Sequence, residues 1–165
     1  MLDLDAAIAA RAGDRLGIIS LDECRDLGAS WDFVKRRLCS GLLTQLHLGV
    51  YRHAAAPESF EGNLRAAVLA AGPEAWASGP SAMRLYGIRG EWSETPEVTV
   101  LGAETHLLDG VRVRRIDRID ERDVTRRFGI PVLAPPLALL LLGSTASERK
   151  VETAVHDTVH LRLTV

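Results

Sequence analysis

The chain has 165 residues, 47% hydrophobic, 25% charged and only 5% aromatic, with a formal net charge of −2. That composition excludes a collagen-like or low-complexity chain and asks for an aliphatic core of Leu, Val, Ile and Ala, in one domain or two small ones. It also excludes a global attraction to nucleic acid, so any such binding needs a local basic patch.

The predicted elements begin with a helix from about Asp3 to Ala12, where Leu4, Ile8 and Ala12 repeat on one face. "GIIS" follows as a short extended piece. Ser20 with Glu23 reads as a capping box, so a second helix runs from Leu21 to near Gly28. Ser30 caps a third helix through about Ser40, with Gly41 as its stop. "LLTQL" and "VYRHA" are strands joined through "HLG". Helix, helix, tight turn, helix, hairpin is the order of a winged helix-turn-helix, here over residues 1–55.

After the linker-like "AAAPES", residues 56–165 read as a small mixed α/β domain, which makes the fold class α+β. A helix is predicted from about Phe60 to Ala71, a short strand at "AWAS" and a short helix at "SAMRLYG". "PEVTVLG" and "GVRVRRI" alternate apolar and polar residues, which argues for an antiparallel strand pair with one buried face. His106 falls in the hairpin turn of that pair. "IPVL" adds a strand, Pro135 opens a Leu-rich helix ending at Gly143, and Ser147 with Glu148 starts the last helix.

The third helix carries the densest basic cluster. On a wheel of 100° per residue, Val34 and Leu38 share one side, flanked by Phe33 and Trp31. Asp32, Lys35, Arg36 and Cys39 lie opposite. Arg37 sits nearer the apolar side, its stem able to pack while its guanidinium reaches outward. Residues 1–29 hold six acids and three cations, whereas residues 30–53 hold Lys35, Arg36, Arg37 and Arg52 against Asp32, a net of +3. A cationic helix face of this kind suits a major groove, with the hairpin's Thr44, Gln45, His47 and Arg52 on the backbone or minor groove. The candidate DNA contacts are therefore Ser30, Trp31, Asp32, Lys35, Arg36, Arg37, Thr44, Gln45, His47 and Arg52. Lys35 and Arg36 are assigned to the groove, and Arg37 and Arg52 to phosphates. Residues 112–127 hold seven arginines against four acids, and Arg112, Arg114, Arg115 and Arg118 form a candidate secondary basic patch. Arg112 and Arg114 are expected to point away from the core.

"SWDFVKRRLCSGLLTQLHLGVYRHA" resembles the N-terminal winged-helix region of AbiEi-family antitoxins, the regulatory halves of type IV toxin–antitoxin pairs. The likeness continues through "EGNLRAAVLAAGPEAWASGPSAMRLYGI", "EVTV", "GVRVRRID" and "DVTRRFGIPVLAP". It implies a DNA-binding autorepressor whose second domain helps neutralise a nucleotidyltransferase-like toxin. This chain carries Gly79 where the family usually has histidine. Ala134, Leu137 and Leu141 stand where the family tends to have serine, arginine and aspartate. The chain resembles a short form without the Vsr-like nuclease domain of some relatives, and nuclease activity is not expected to be inherited.

Other chemistry finds little support. Cys24 and Cys39 stand 15 positions apart with no Cys-x-x-Cys and no zinc-finger histidines, which points to reduced thiols and a cytoplasmic setting. "MLDLDAAIAARAG" lacks the basic start of a signal peptide, and "VLAPPLALLLLG" is short of the roughly 20 residues of a membrane span. His156, Asp157 and His160 lack the further ligands of a metal site and read as a polar outer face opposite Val151, Val155 and Val159. Ser78 and Ser81 lack the context of a hydrolase nucleophile. No catalytic residue, metal or cofactor is expected. The partners expected are the double-stranded DNA of the chain's own promoter and a toxin of the nucleotidyltransferase type. The rival readings are an interaction module that uses Trp31 and Phe33 on a winged-helix scaffold, and a truncated nuclease-family relic.

Overall fold

The computed structural model describes residues 3–102 and 108–163, and the chain divides into two compact units, 1–70 and 71–165. His106, read above as part of a hairpin turn, lies outside the described residues.

The first unit opens with α1 (Leu4–Gly13), whose Asp3 side chain accepts the backbone N–H groups of Asp5 and Ala6. Strand β1 (Ile18–Ser20) runs straight into α2 (Leu21–Asp26). Ser20 and Glu23 form the expected capping box, the Ser20 Oγ accepting the Glu23 N–H and the Glu23 carboxylate accepting the Ser20 N–H. Two of the orphan donors that begin any helix are satisfied in this way. Gly28, at φ +92°, breaks α2, and Ser30 caps α3 (Trp31–Cys39) by accepting the Phe33 N–H at 3.2 Å. Strands β2 (Leu43–His47) and β3 (Val50–His53) form an antiparallel hairpin, with Gly49 at φ +71° in its turn. The pairing shifts register between Gln45 and His47, a bulge of the kind that tightens local twist.

The sheet order is β1-β3-β2, so the "GIIS" piece becomes a full antiparallel partner of β3 through Ile18↔Arg52, Ile19↔Tyr51 and Ser20↔Val50. Ile8, Ala12, Ile19, Cys24, Val34, Leu43 and Tyr51 cluster beneath the three helices. Each large aliphatic chain fully buried there contributes about 1.5–3 kcal/mol. Helix α4 (Phe60–Ala71) packs Ala66 against Ile18 and Val50, and Arg65 reaches Glu23 at 3.2 Å. These interactions carry the first compact unit through residue 70, past the boundary near residue 55 read from the sequence.

The second unit holds β4 (Ala75–Ala77), α5 (Gly79–Leu85), β5 (Glu97–Leu101) and β6 (Arg112–Ile116). A 3-10 turn (Glu121–Asp123), β7 (Val124–Arg127), β8 (Ile130–Leu133), α6 (Pro135–Leu142) and α7 (Glu148–His160) complete it. Its five strands run in the order β6-β5-β4-β8-β7. Two expectations fail here. β5 and β6 pair parallel, from Glu97↔Arg112 to Leu101↔Ile116, not antiparallel. Alternation marks faces but carries no information on strand direction. β5 is an interior strand flanked on both sides, and its polar positions Glu97 and Thr99 are buried at 1% and 0% exposure. β7 has no apolar alternation because it is an edge strand with Thr125, Arg126 and Arg127 exposed. It meets β8 through a two-residue turn at Phe128 and Gly129, both at positive φ (+50° and +75°), the twist that such hairpins require.

Helix α7 also faces the other way round from its sequence reading. Ala154, Asp157 and Thr158 are buried, while Val155 and Val159 are exposed. Asp157 turns inward because the Arg89 guanidinium and the Arg89 backbone N–H both bind its carboxylate, at 2.5–3.1 Å. A buried charge so fully paired outweighs the apolar pattern of the helix.

Candidate nucleic-acid interface

Helix α3 is anchored by buried Val34 and half-buried Phe33 and Leu38. The opposite row, Asp32, Lys35, Arg36 and Cys39, is exposed along its length, as a 100° wheel requires. Lys35 and Arg36 make no hydrogen bond or ion pair among the described residues, and the Arg36 guanidinium lies 6.0 Å from the Phe33 ring centre. These two are the free cations of the helix. Trp31, in the first turn, is 49% exposed. Ser30 uses its hydroxyl as the cap described above.

Arg37 is arranged differently. Its Nε and Nη2 donate to the two carboxylate oxygens of Asp5 on α1 at 2.7 and 2.6 Å, and its guanidinium sits 4.1 Å from the Phe33 ring centre. The hydrogen bond from Arg37 holds the Asp5 carboxyl below its usual range, and the same bond raises Arg37. On the hairpin, Thr44 and Gln45 are exposed, His47 is half-buried beside the bulge, and Arg52 is half-buried with Glu58 Oε1 at 3.5 Å. Leu48, at the hairpin tip, is 92% exposed. Sequence reasoning passed over Leu48, although an apolar residue inside a turn was the available signal.

The tertiary contacts change the charge count. Lys35, Arg36, Arg37 and Arg52 oppose not Asp32 alone but also Asp5 and Glu58. Four cations against three acids leave +1, where the linear count was +3. In this structure Arg37 and Arg52, expected at phosphates, are both engaged within the protein, and the α3 cations without an ion pair among the described residues are Lys35 and Arg36.

The second basic patch also divides. Arg112 and Arg114 do not simply point outward. Their guanidinium groups approach Glu97 at 3.3 and 3.4 Å, and Arg114 also donates to Ser144 Oγ at 2.7 Å. Two arginines thus compensate one buried carboxylate. Arg115 and Arg118 remain exposed. Both cysteines are free, and burial pushes the Cys24 thiol up to about 11. No group of three or more His, Cys, Asp and Glu side chains among the described residues is placed to hold a metal. No helix among them is long and apolar enough to cross a membrane.

No family model matches the chain, and no curated protein matches it. Its fold is similar to the crystal structure of the RV2827C protein from Mycobacterium tuberculosis, with a TM-score of 0.53. That likeness covers 91% of this chain and 70% of the other at 18% identity, and it speaks to the mixed α+β fold alone.

Proposed function

We propose that the first unit is a winged helix-turn-helix and that the chain is a DNA-binding regulator, the antitoxin-like component of a type IV toxin–antitoxin pair. The observation that carries the reading is α3. It is fixed from below by Val34, Phe33 and Leu38 and presents unpaired Lys35 and Arg36 on its outer row, beside an antiparallel hairpin. A rigid cationic helix face with an adjacent wing is the geometry by which such domains enter a major groove and straddle the backbone. Lys35 and Arg36 take the groove and Thr44 and Gln45 the flanking backbone. The second unit meets the protein partner, a toxin of the nucleotidyltransferase type. No covalent chemistry is involved.

The test is an electrophoretic mobility shift with DNA from upstream of the chain's own gene. Replacing Lys35→Ala and Arg36→Ala together should weaken binding by tenfold or more, since each base-reading side chain removed costs about 1–3 kcal/mol. Unchanged affinity in the double variant overturns the assignment.

A second reading is favoured by one feature. Trp31 and Leu48 are exposed on the same unit, and exposed aromatic and aliphatic side chains are the anchors of protein interfaces. A winged helix that serves only as a scaffold would retain a protein partner on a pull-down and show no salt-sensitive retention on duplex DNA.

A further inference from the structure

The second unit contains a cavity unused by the DNA reading. Its volume is about 320 Å³, at the small end of ligand pockets. Arg112 of β6 and Lys150 of α7 enter it from different elements, and Trp92, Ser93, Thr145 and Ser147 complete the polar and aromatic part of the wall. No acidic residue lines it among the described residues.

Its cations are held in place before any ligand arrives. The Glu97 carboxylate, 1% exposed, takes one guanidinium nitrogen of Arg112 and one of Arg114. The side chain of Arg112 is still 56% exposed, so its other nitrogens face outward. Lys150 donates to the Glu91 carbonyl at 3.1 Å and lies 5.9 Å from the Trp92 ring centre. Trp92 in turn donates its ring N–H to the Ile88 carbonyl at 2.8 Å, which fixes the ring plane. Ser147 flanks the start of α7 at the N-cap position, yet its hydroxyl makes no capping bond and is free to donate. Arg112, Lys150 and Trp92 therefore lose little conformational freedom on binding.

We propose that this cavity binds a small phosphate monoester carrying a flat ring, of mononucleotide size. The planar fork of Arg112 and the point charge of Lys150 suit a dianionic phosphoryl group. The hydroxyls of Ser93 and Ser147 donate to its remaining oxygens, and Trp92 in the wall gives the flat ring an aromatic neighbour. The first unit's docking on duplex DNA plays no part in this site, which stands or falls separately.

The test uses the full chain and adenosine 5′-monophosphate, inorganic phosphate and adenosine as probes in isothermal titration calorimetry. Adenosine 5′-monophosphate should bind with a Kd of about 1 mM or tighter, inorganic phosphate more weakly and adenosine weakest of the three. Lys150→Gln removes one exposed charge together with its bond to the Glu91 carbonyl, and should lower the unliganded melting temperature only slightly while weakening adenosine 5′-monophosphate about tenfold. Affinity for duplex DNA should be the same in both proteins. The inference is overturned by absence of binding at that level, or by equal affinity of the nucleotide for both proteins. It is also overturned if Lys150→Gln weakens duplex binding instead, which would assign the phosphate chemistry to the nucleic-acid backbone.

Discussion

Asp5→Asn isolates the clamp on Arg37. The change keeps the shape of the side chain and the position of α1 but removes the charge that holds the guanidinium at 2.6 and 2.7 Å. An ordinary aspartate is already ionised at neutral pH, and the bond from Arg37 holds the Asp5 carboxyl lower still. Under the proposed reading Lys35 and Arg36, while in the groove, each also offset one flanking phosphate, and a released Arg37 adds a third such cation. Two cations neutralising two phosphates give a slope of log affinity against log salt of about −1.8, and a third takes it to about −2.7. Between about 50 and 200 mM salt the wild-type chain should lose affinity roughly 12-fold and the variant roughly 42-fold. Fluorescence anisotropy with a labelled duplex across that range reads both slopes. An unchanged slope in Asp5→Asn refutes the reasoning. So does a wild-type slope already near about −3.6, because all four cations would then be reaching the backbone despite their partners.

Two further outcomes rest on the second unit. Gly79 sits at φ +49°, and a Cβ there would stand 2.3 Å from Glu97 Oε1. Gly79→Ala should therefore destabilise the chain by about 1–2 kcal/mol from backbone strain alone, read by urea unfolding, and should loosen the hold of Glu97 on Arg112 and Arg114. An equally stable variant would refute the strain argument, because the cost of φ +49° remains even where Glu97 moves aside. Asp157 is held far below its usual value of 3.8, first by the hydrogen bond from the Arg89 side chain and then by the Arg89 backbone N–H. A depressed carboxyl stabilises the fold above its unfolded value and loses that contribution as pH falls below it. Thermal unfolding should thus show stability falling below about pH 4, and Asp157→Asn should be less stable at neutral pH but lack that part of the acid sensitivity. Parallel pH curves for the two proteins would refute the pairing.

The locally determined parts of the chain were legible in the residues themselves. Asp3, Ser20 with Glu23, and Ser30 announce the starts of α1, α2 and α3 because a capping side chain bonds to N–H groups only two or three positions away. The exposed row of α3 and the β2–β3 turn at Gly49 follow from periods and backbone freedom that are likewise short-range. The tertiary structure decided what those elements meet. Asp5 and Arg37 lie 32 positions apart and Arg65 and Glu23 lie 42 apart. No local pattern announces either pair, and they set the charge of the candidate interface and the extent of the first unit. The parallel direction of β6, the inward turn of Asp157 and the burial of Glu97 beneath two arginines have the same origin. An interior strand or a buried ion pair is defined by neighbours brought together by the fold, and hydrophobic alternation records only how a side chain would choose between core and water when nothing else competes for it.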